Sequence, residues 1–103
     1  MLEKIKCPIT RTMEIVGGKW TLPIIYVLQS GTKRFKDLER SIEGINTRML
    51  VKELKALEQN NIVERKVYAE VPPKVEYSLT DKGRALKTVL EEMKRWGKTY
   101  IEL

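Results

Sequence analysis

The sequence predicts a mainly α-helical chain with one small β-hairpin, an α+β fold in a single domain over residues 1–103. Three observations predict this fold class. A chain of 103 residues is long enough for only one hydrophobic core. Its 42% hydrophobic and 33% charged residues are typical of a globular domain. Apolar residues recur at helical spacing through most of the chain, and this spacing changes to alternation between residues 62 and 79.

Glycine, proline and capping residues divide the first sixty residues into helices. Cys7 caps the first helix before Pro8, and Gly17-Gly18 ends it. Gly31 ends the second helix. After a tight turn, Asn46 is a good N-cap for the fourth helix. The predicted helices cover, in chain order, residues 8–16, 19–30, 36–42 and 46–60.

The hydrophobic period changes after the fourth helix. Residues 62–68 are rich in β-branched side chains, and apolar residues alternate with polar ones over 75–79, which predicts two antiparallel strands. Pro72-Pro73 stiffens the connection between the strands. Thr80 caps a last helix over residues 81–102. Two helices, a helix-turn-helix, a hairpin and a final helix make up a winged helix-turn-helix.

The charge of the chain selects no partner by itself. Twenty Lys and Arg residues against 14 Asp and Glu give a net charge of +6. An excess of this kind attracts nucleic acid, acidic proteins and anionic membranes alike. The excess is spread along the chain as +3 in residues 1–45, +2 in 46–75 and +1 in 76–103. A binding surface must therefore come from charges that the fold gathers on one face.

Other functions are disfavoured by what the sequence lacks. It contains no histidine and one cysteine, which excludes Ser-His-Asp triads, His/Cys zinc sites and an internal disulfide. We therefore expect no enzyme activity, no cofactor and no metal. The longest apolar run, Leu22–Leu28, is far too short to cross a membrane. No export leader is recognisable, so we expect a cytoplasmic protein without a membrane partner.

The predicted helix over residues 46–60 has two faces. The apolar face consists of Leu50, Leu54 and Leu57. Arg48, Lys52 and Lys55 lie within about 60° of each other on the opposite face, with Thr47 beside them. A recognition helix in the major groove of double-stranded DNA needs this division. A merely solvated basic face is the alternative, and the preceding short helix and the following hairpin favour DNA.

The hairpin adds further cations that suit a phosphate backbone. Lys66 and Lys74 are the candidates on the wing, and Arg34 before the third helix is a weaker one. An ordinary charged hairpin is the alternative, since Glu64 and Glu70 make the wing mixed in charge. The predicted DNA-binding residues are Arg34, Asn46, Thr47, Arg48, Lys52, Lys55, Lys66 and Lys74.

The last predicted helix carries an apolar stripe of about four turns, more than so small a core needs. Self-association is therefore favoured over internal packing alone. The expected contacts of a homodimer are Leu90, Met93, Trp96 and Tyr100, in an interface of the terminal helices at about 7–16 and 81–102. Gly97 would let another helix approach closely.

Cys7 has two interpretations. It is either an inert apolar residue or a reactive thiol, because a helix N-terminus and the nearby Lys4, Lys6 and Arg11 stabilise a thiolate. A reactive thiol near a dimer interface would switch DNA affinity on oxidation.

A string of short motifs in this chain resembles the HxlR-type winged-helix transcription regulators, relatives of the MarR-like regulators. The matching residues are Cys7-Pro8, Gly17-Gly18-Lys19-Trp20, Gly31, Arg34-Phe35, Leu38, Gly44-Ile45, Leu50, Leu54, Leu57-Glu58, the segment 71–80, Gly83 and Trp96. The resemblance implies a homodimeric DNA-binding regulator whose dimer forms through the terminal helices. Several members sense quinones, aldehydes or disulfide stress through a cysteine at the position of Cys7. Two departures are Pro23 in the second helix and Asn46 where serine is common.

These observations favour a transcriptional regulator that binds a pseudo-palindromic operator as a homodimer, with an oxidant or small molecule as its effector. Two-fold symmetry would place the recognition helices about 34 Å apart, one turn of DNA. Repression is favoured over activation, because a bound dimer blocks polymerase without an activation surface. The alternative function is a winged-helix module that docks protein and binds no specific DNA.

Overall fold

The computed structural model describes residues 7–101 and contains the predicted winged helix-turn-helix. The predictions that involve Lys4, Lys6 and residue 102 lie outside this range. The helices before the hairpin are α1 (Pro8–Val16), α2 (Thr21–Leu28), α3 (Phe35–Ser41) and α4 (Thr47–Gln59). The hairpin and the helices after it are β1 (Val63–Tyr68), β2 (Lys74–Leu79), α5 (Asp81–Arg84) and α6 (Lys87–Tyr100). No helix within residues 7–101 is long and apolar enough to cross a membrane.

The turn between α3 and α4 has the expected length. Gly44 has φ +86°, a left-handed conformation that favours glycine, and the amide of Ile45 donates to the carbonyl of Ile42 at 3.4 Å. Asn46 then caps α4, because its side-chain oxygen accepts from the amide of Met49 at 2.9 Å. This short turn and its cap fix where α4 begins relative to α3.

The core lies between α2, α3, α4 and the hairpin, and the apolar face of α4 is central to it. Leu50, Leu54 and Leu57 are at most 2% exposed. They pack in one cluster with Ile24 and Leu38, which are fully buried. Truncating a buried leucine of this kind to alanine costs about 2–5 kcal/mol. The rotation of α4 about its axis is therefore strongly specified.

The hairpin pairs β1 with β2 in antiparallel register from Val63 opposite Leu79 to Tyr68 opposite Lys74. Lys33 extends this sheet, because it exchanges two backbone hydrogen bonds with Tyr77, of 2.9 and 2.8 Å. The two strands are thus joined to the segment that leads into α3, which brings the base of the wing beside the helix-turn-helix.

The prediction of one continuous last helix over residues 81–102 is wrong, since α5 and α6 are separate helices. At the break the amide of Leu86 donates to the carbonyl of Gly83 at 3.1 Å, a tighter 3₁₀-type bond. Gly83 lies against the start of the hairpin, and a Cβ there would be 2.4 Å from the carbonyl oxygen of Ile62. The partly buried Leu86 packs against the core at this point. Packing of this segment against the hairpin and the core therefore interrupts the helix that periodicity predicts.

The other boundaries differ from prediction by one or two residues. Pro23 explains the start of α2 at Thr21 rather than at residue 19, because it then occupies the first turn, where proline is tolerated. In α1, Val16 is the one residue that is buried, while Ile9 and Met13 are exposed. α1 thus carries apolar side chains that the described part of the chain leaves largely uncovered.

Candidate nucleic-acid interface

The exposed face of α4 presents the predicted cations together. Arg48, Lys52 and Lys55 are all exposed, on the side of the helix opposite its buried leucines. Three cations at this spacing follow one face over two turns, as a helix lying along a DNA groove requires. The structure therefore places these three predicted residues on one surface.

The first residues of α4 have partners inside the protein. The side-chain oxygen of Asn46 is used by the helix cap, which leaves its amide NH₂ group as a donor. The hydroxyl of Thr47 donates to the carboxylate of Glu39 on α3. Glu39 was not among the predicted residues, because its place beside Thr47 depends on the turn between the two helices. Asn46 and Thr47 are accordingly fixed in orientation at the exposed N-terminal end of α4.

In the wing, formed by β1 and β2, the two predicted lysines both contact one aromatic ring. The ammonium groups of Lys66 and Lys74 lie 5.0 and 4.8 Å from the ring centre of Tyr68. Lys74 also pairs with Glu76 at 3.6 Å. A hydrogen bond from the Tyr68 hydroxyl, together with the charges of Lys74 and Arg34, lowers the pKa of the Glu76 carboxyl.

Glu76 is a member of this wing cluster that the sequence did not reveal. Its place among these residues follows from the register of the hairpin, in which Lys66 is opposite Glu76 and Tyr68 is opposite Lys74. Arg34, predicted as a weaker candidate, is exposed before α3 and contributes to the electrostatics of Glu76. The structure thus pairs Lys74 with this carboxylate and places Lys66 opposite Glu76 in the hairpin, while the charge of Arg34 also acts on it.

The predicted dimer contacts on α6 differ in exposure. Met93, Trp96 and Tyr100 are 51%, 59% and 72% exposed, and the rings of Trp96 and Tyr100 are 5.5 Å apart. Leu90 is only 7% exposed, because it lies mainly in the chain's own core. Exposed apolar surface on α6 therefore begins at Val89 and Met93 and continues to the end of the helix.

A shallow apolar groove lies between α2 and α6. Leu22, Pro23, Met93 and Gly97 contribute to its lining. At its rim the ammonium of Lys94 donates to the hydroxyl of Tyr26 at 3.0 Å. This hydrogen bond lowers the pKa of Tyr26 and raises that of Lys94.

Cys7 is exposed at the N-terminus of α1, where its backbone carbonyl accepts from the amide of Arg11 at 3.1 Å. This is the position that the sequence predicts for it. Within residues 7–101 no cluster of His, Cys, Asp and Glu side chains could hold a metal ion.

A helix-turn-helix with an exposed basic face, followed by a two-stranded wing, defines a winged helix-turn-helix protein of the kind that regulates transcription. Comparison with known families agrees with this class. The model of the HxlR-like helix-turn-helix family matches residues 15–103, and the chain belongs to that family.

Individual relatives are similar over nearly the whole chain. The HTH-type transcriptional regulator YkvN of Bacillus subtilis (strain 168) is 44% identical over 98% of this chain and 86% of its own length. A MarR-family regulator from Porphyromonas gingivalis W83 is 38% identical with a TM-score of 0.90, covering 98% and 99% of the two chains. The redox regulator HypR in its oxidised form is 43% identical with a TM-score of 0.88, covering 94% and 100%. The chain is therefore a transcriptional regulator and not an enzyme, as the sequence predicts.

The cap of α4 yields a stability prediction. Asn46→Ala leaves the amide of Met49 without its acceptor and should lower the free energy of unfolding by about 1 kcal/mol. Urea unfolding followed by far-ultraviolet circular dichroism measures this loss. Asn46→Ser, which supplies a capping hydroxyl, should retain most of the wild-type stability. Equal stability of the alanine and serine variants would contradict the role of Asn46 as a cap.

Proposed function

We propose that this regulator binds double-stranded DNA at a pseudo-palindromic operator, as a homodimer, and represses transcription. The observation that carries the proposal is the exposed row of Arg48, Lys52 and Lys55 on the second helix of the helix-turn-helix. A helix of this type enters the major groove with its N-terminal residues nearest to the bases. A dimer bound over a promoter would repress by excluding polymerase.

We propose a role for each residue from its position on α4 or at its N-cap. Arg48 is one turn nearer to the N-terminus than Lys52 and has the forked donor that suits a guanine edge. Asn46 and Thr47 lie at the same end and are held by their hydrogen bonds for contact with bases or phosphates. Lys52 and Lys55 lie further along the helix, where phosphates flank the groove. Lys66, Lys74 and Arg34 contact the backbone from the wing and its base.

DNA binding should respond to salt and to Arg48. Affinity for a fluorescent duplex from upstream of the regulator's own gene should fall steeply as salt rises, because counterions are released from each neutralised phosphate. Arg48→Ala should cost about 1–3 kcal/mol of operator affinity if the arginine contacts a guanine. Fluorescence anisotropy measures both effects.

Lys87→Ala on α6 is the matched control, since it also removes one cation but lies outside α4 and the hairpin. Its affinity for the operator duplex should stay within about twofold of wild type. A protein that binds with no salt dependence, or an Arg48→Ala variant equal to Lys87→Ala, would contradict the assignment and favour a protein-docking module.

The proposed dimer joins the terminal helices α1 and α6. Met93, Trp96 and Tyr100 on α6 are more than half exposed, and Ile9 and Met13 on α1 are exposed as well. Large apolar side chains concentrated on two helices are characteristic of a homodimer interface rather than of a monomer surface. A methyl group added at Gly97 would meet no atom of the described residues within 4 Å beyond its own stretch of helix, which leaves room for a second helix.

Oligomeric state tests this interface. Met93→Glu places a charge in the centre of the proposed contact and should convert a dimer into a monomer in analytical ultracentrifugation. Val67→Glu is the matched control, because Val67 is exposed to a similar extent, 53% against 51%, but lies on β1. The control should remain dimeric. Dissociation by both variants, or a dimeric Met93→Glu protein, would contradict the interface.

We further propose that Cys7 makes operator binding sensitive to oxidants. The exposed position of the thiol at the N-terminus of α1 supports this, because an oxidant reaches it directly from solvent. The similarity to HypR, a redox regulator, gives further support. Since the sequence holds no second cysteine, any disulfide that forms on oxidation must join the Cys7 thiols of two chains or add a small thiol. In either disulfide the oxidant accepts two electrons and two protons.

Diamide treatment tests this sensor. Wild-type protein should change its operator affinity after diamide, alone or with added glutathione, and Cys7→Ser should not. Non-reducing electrophoresis and mass spectrometry distinguish a linked dimer from a glutathione adduct. Equal responses of wild type and Cys7→Ser would remove Cys7 as the sensor.

A further inference from the structure

One face of the hairpin gathers charges of both signs around a single ring. In the observed register Lys66 is opposite Glu76, and Tyr68 is opposite Lys74, so that all four side chains share one face of the two strands. Both ammonium groups lie within about 5 Å of the Tyr68 ring, a distance at which cation and ring attract. Tyr68 therefore holds the two lysines side by side.

Glu76 is the counter-charge of this arrangement. Its side chain is 24% exposed and that of its partner Lys74 is 29% exposed, so the pair is less open to solvent than the other ion pairs between described residues. Hydrogen bonding from the Tyr68 hydroxyl and the charges of Lys74 and Arg34 all lower the pKa of this carboxyl. Glu76 thus stays ionised beside Lys74. A phosphate oxygen at the same place would form an equivalent charge-assisted contact with the lysine.

We propose that Glu76 competes with DNA phosphate for Lys74 and so limits the affinity of the wing for duplex DNA of any sequence. The inference rests on the proposed DNA binding. Phosphate contacts supply the sequence-independent part of affinity. For Lys74 to reach a phosphate, its pairing with Glu76 must weaken, and the carboxylate must then lie near the negative backbone. Glu76 therefore lowers affinity for operator and random duplexes by the same factor.

Glu76→Gln tests the proposal directly. Glutamine has the same shape as glutamate and keeps an acceptor oxygen, so we expect the two lysines to stay on the Tyr68 ring while the negative charge is lost. We expect about 3–10-fold tighter binding to both an operator duplex and a random duplex at about 0.1 M salt. The slope of log affinity against log salt should become steeper by at most about 0.9, the value for one phosphate contact, as the contact of Lys74 with the backbone becomes complete.

Glu64→Gln is the matched control. Glu64 lies on the same face of the hairpin but opposite Ser78, and its substitution changes the net charge by the same amount. We expect less than about a twofold change in affinity, from the general gain of positive charge. An effect equal to that of Glu76→Gln would overturn the proposal.

A third arm shows whether Glu76 acts through Lys74. In a Lys74→Gln background, adding Glu76→Gln should tighten binding by less than about twofold, because the cation that it releases is absent. An undiminished gain in that background would overturn the proposal. If wild-type protein bound neither duplex, the proposed function itself would fail. Wild-type binding with no gain for Glu76→Gln would refute this inference alone.

Discussion

Burial of three leucines on one side of α4 is the constraint on which the rest of the structure depends. Leu50, Leu54 and Leu57 are at most 2% exposed, and each side chain contributes about 1.5–3 kcal/mol by leaving water. A rotation of α4 that exposed them would also bury a lysine or an arginine without a partner, which costs several kcal/mol more. The same packing that stabilises the core therefore turns the basic face of α4 outward.

The chain distributes its remaining apolar surface unevenly. Most of the core residues come from α2, the helix-turn-helix and the hairpin. By contrast, α1 buries only Val16, and α6 leaves Met93, Trp96 and Tyr100 exposed. A second copy that covered these helices would also fix the distance between two α4 helices. In the proposed function, assembly and DNA recognition are thus linked through the rigid packing of α4 on the same core.

Local signals in the sequence were sufficient to predict most of the fold. The two faces of α4 and the alternation in β2 follow from periodicity within one element, and the Asn46 cap follows from the preference of asparagine for that position. The break between α5 and α6 could not be predicted in this way. It accompanies the contact of Gly83 with Ile62, two residues that are 21 positions apart. Periodicity describes a helix, whereas such a contact depends on how the whole chain packs.

The candidate interface was predictable to a similar extent. The row of cations on α4 needed only helical geometry, and the wing lysines were visible as charges on a predicted hairpin. Their arrangement around Tyr68, with Glu76 as counter-charge, required the cross-strand register, which the connection between β1 and β2 determines. The hydrogen bond between Thr47 and Glu39 likewise required the turn that joins two helices.

In the proposed complex, two copies of α4 enter successive major grooves of one operator. Methylation of guanine N7 by dimethyl sulfate reports the major groove directly. On the DNA upstream of its own gene, the protein should protect guanines in two blocks whose centres are about 10 base pairs apart. Binding that protected a single block, or that left every major-groove guanine reactive, would contradict this account.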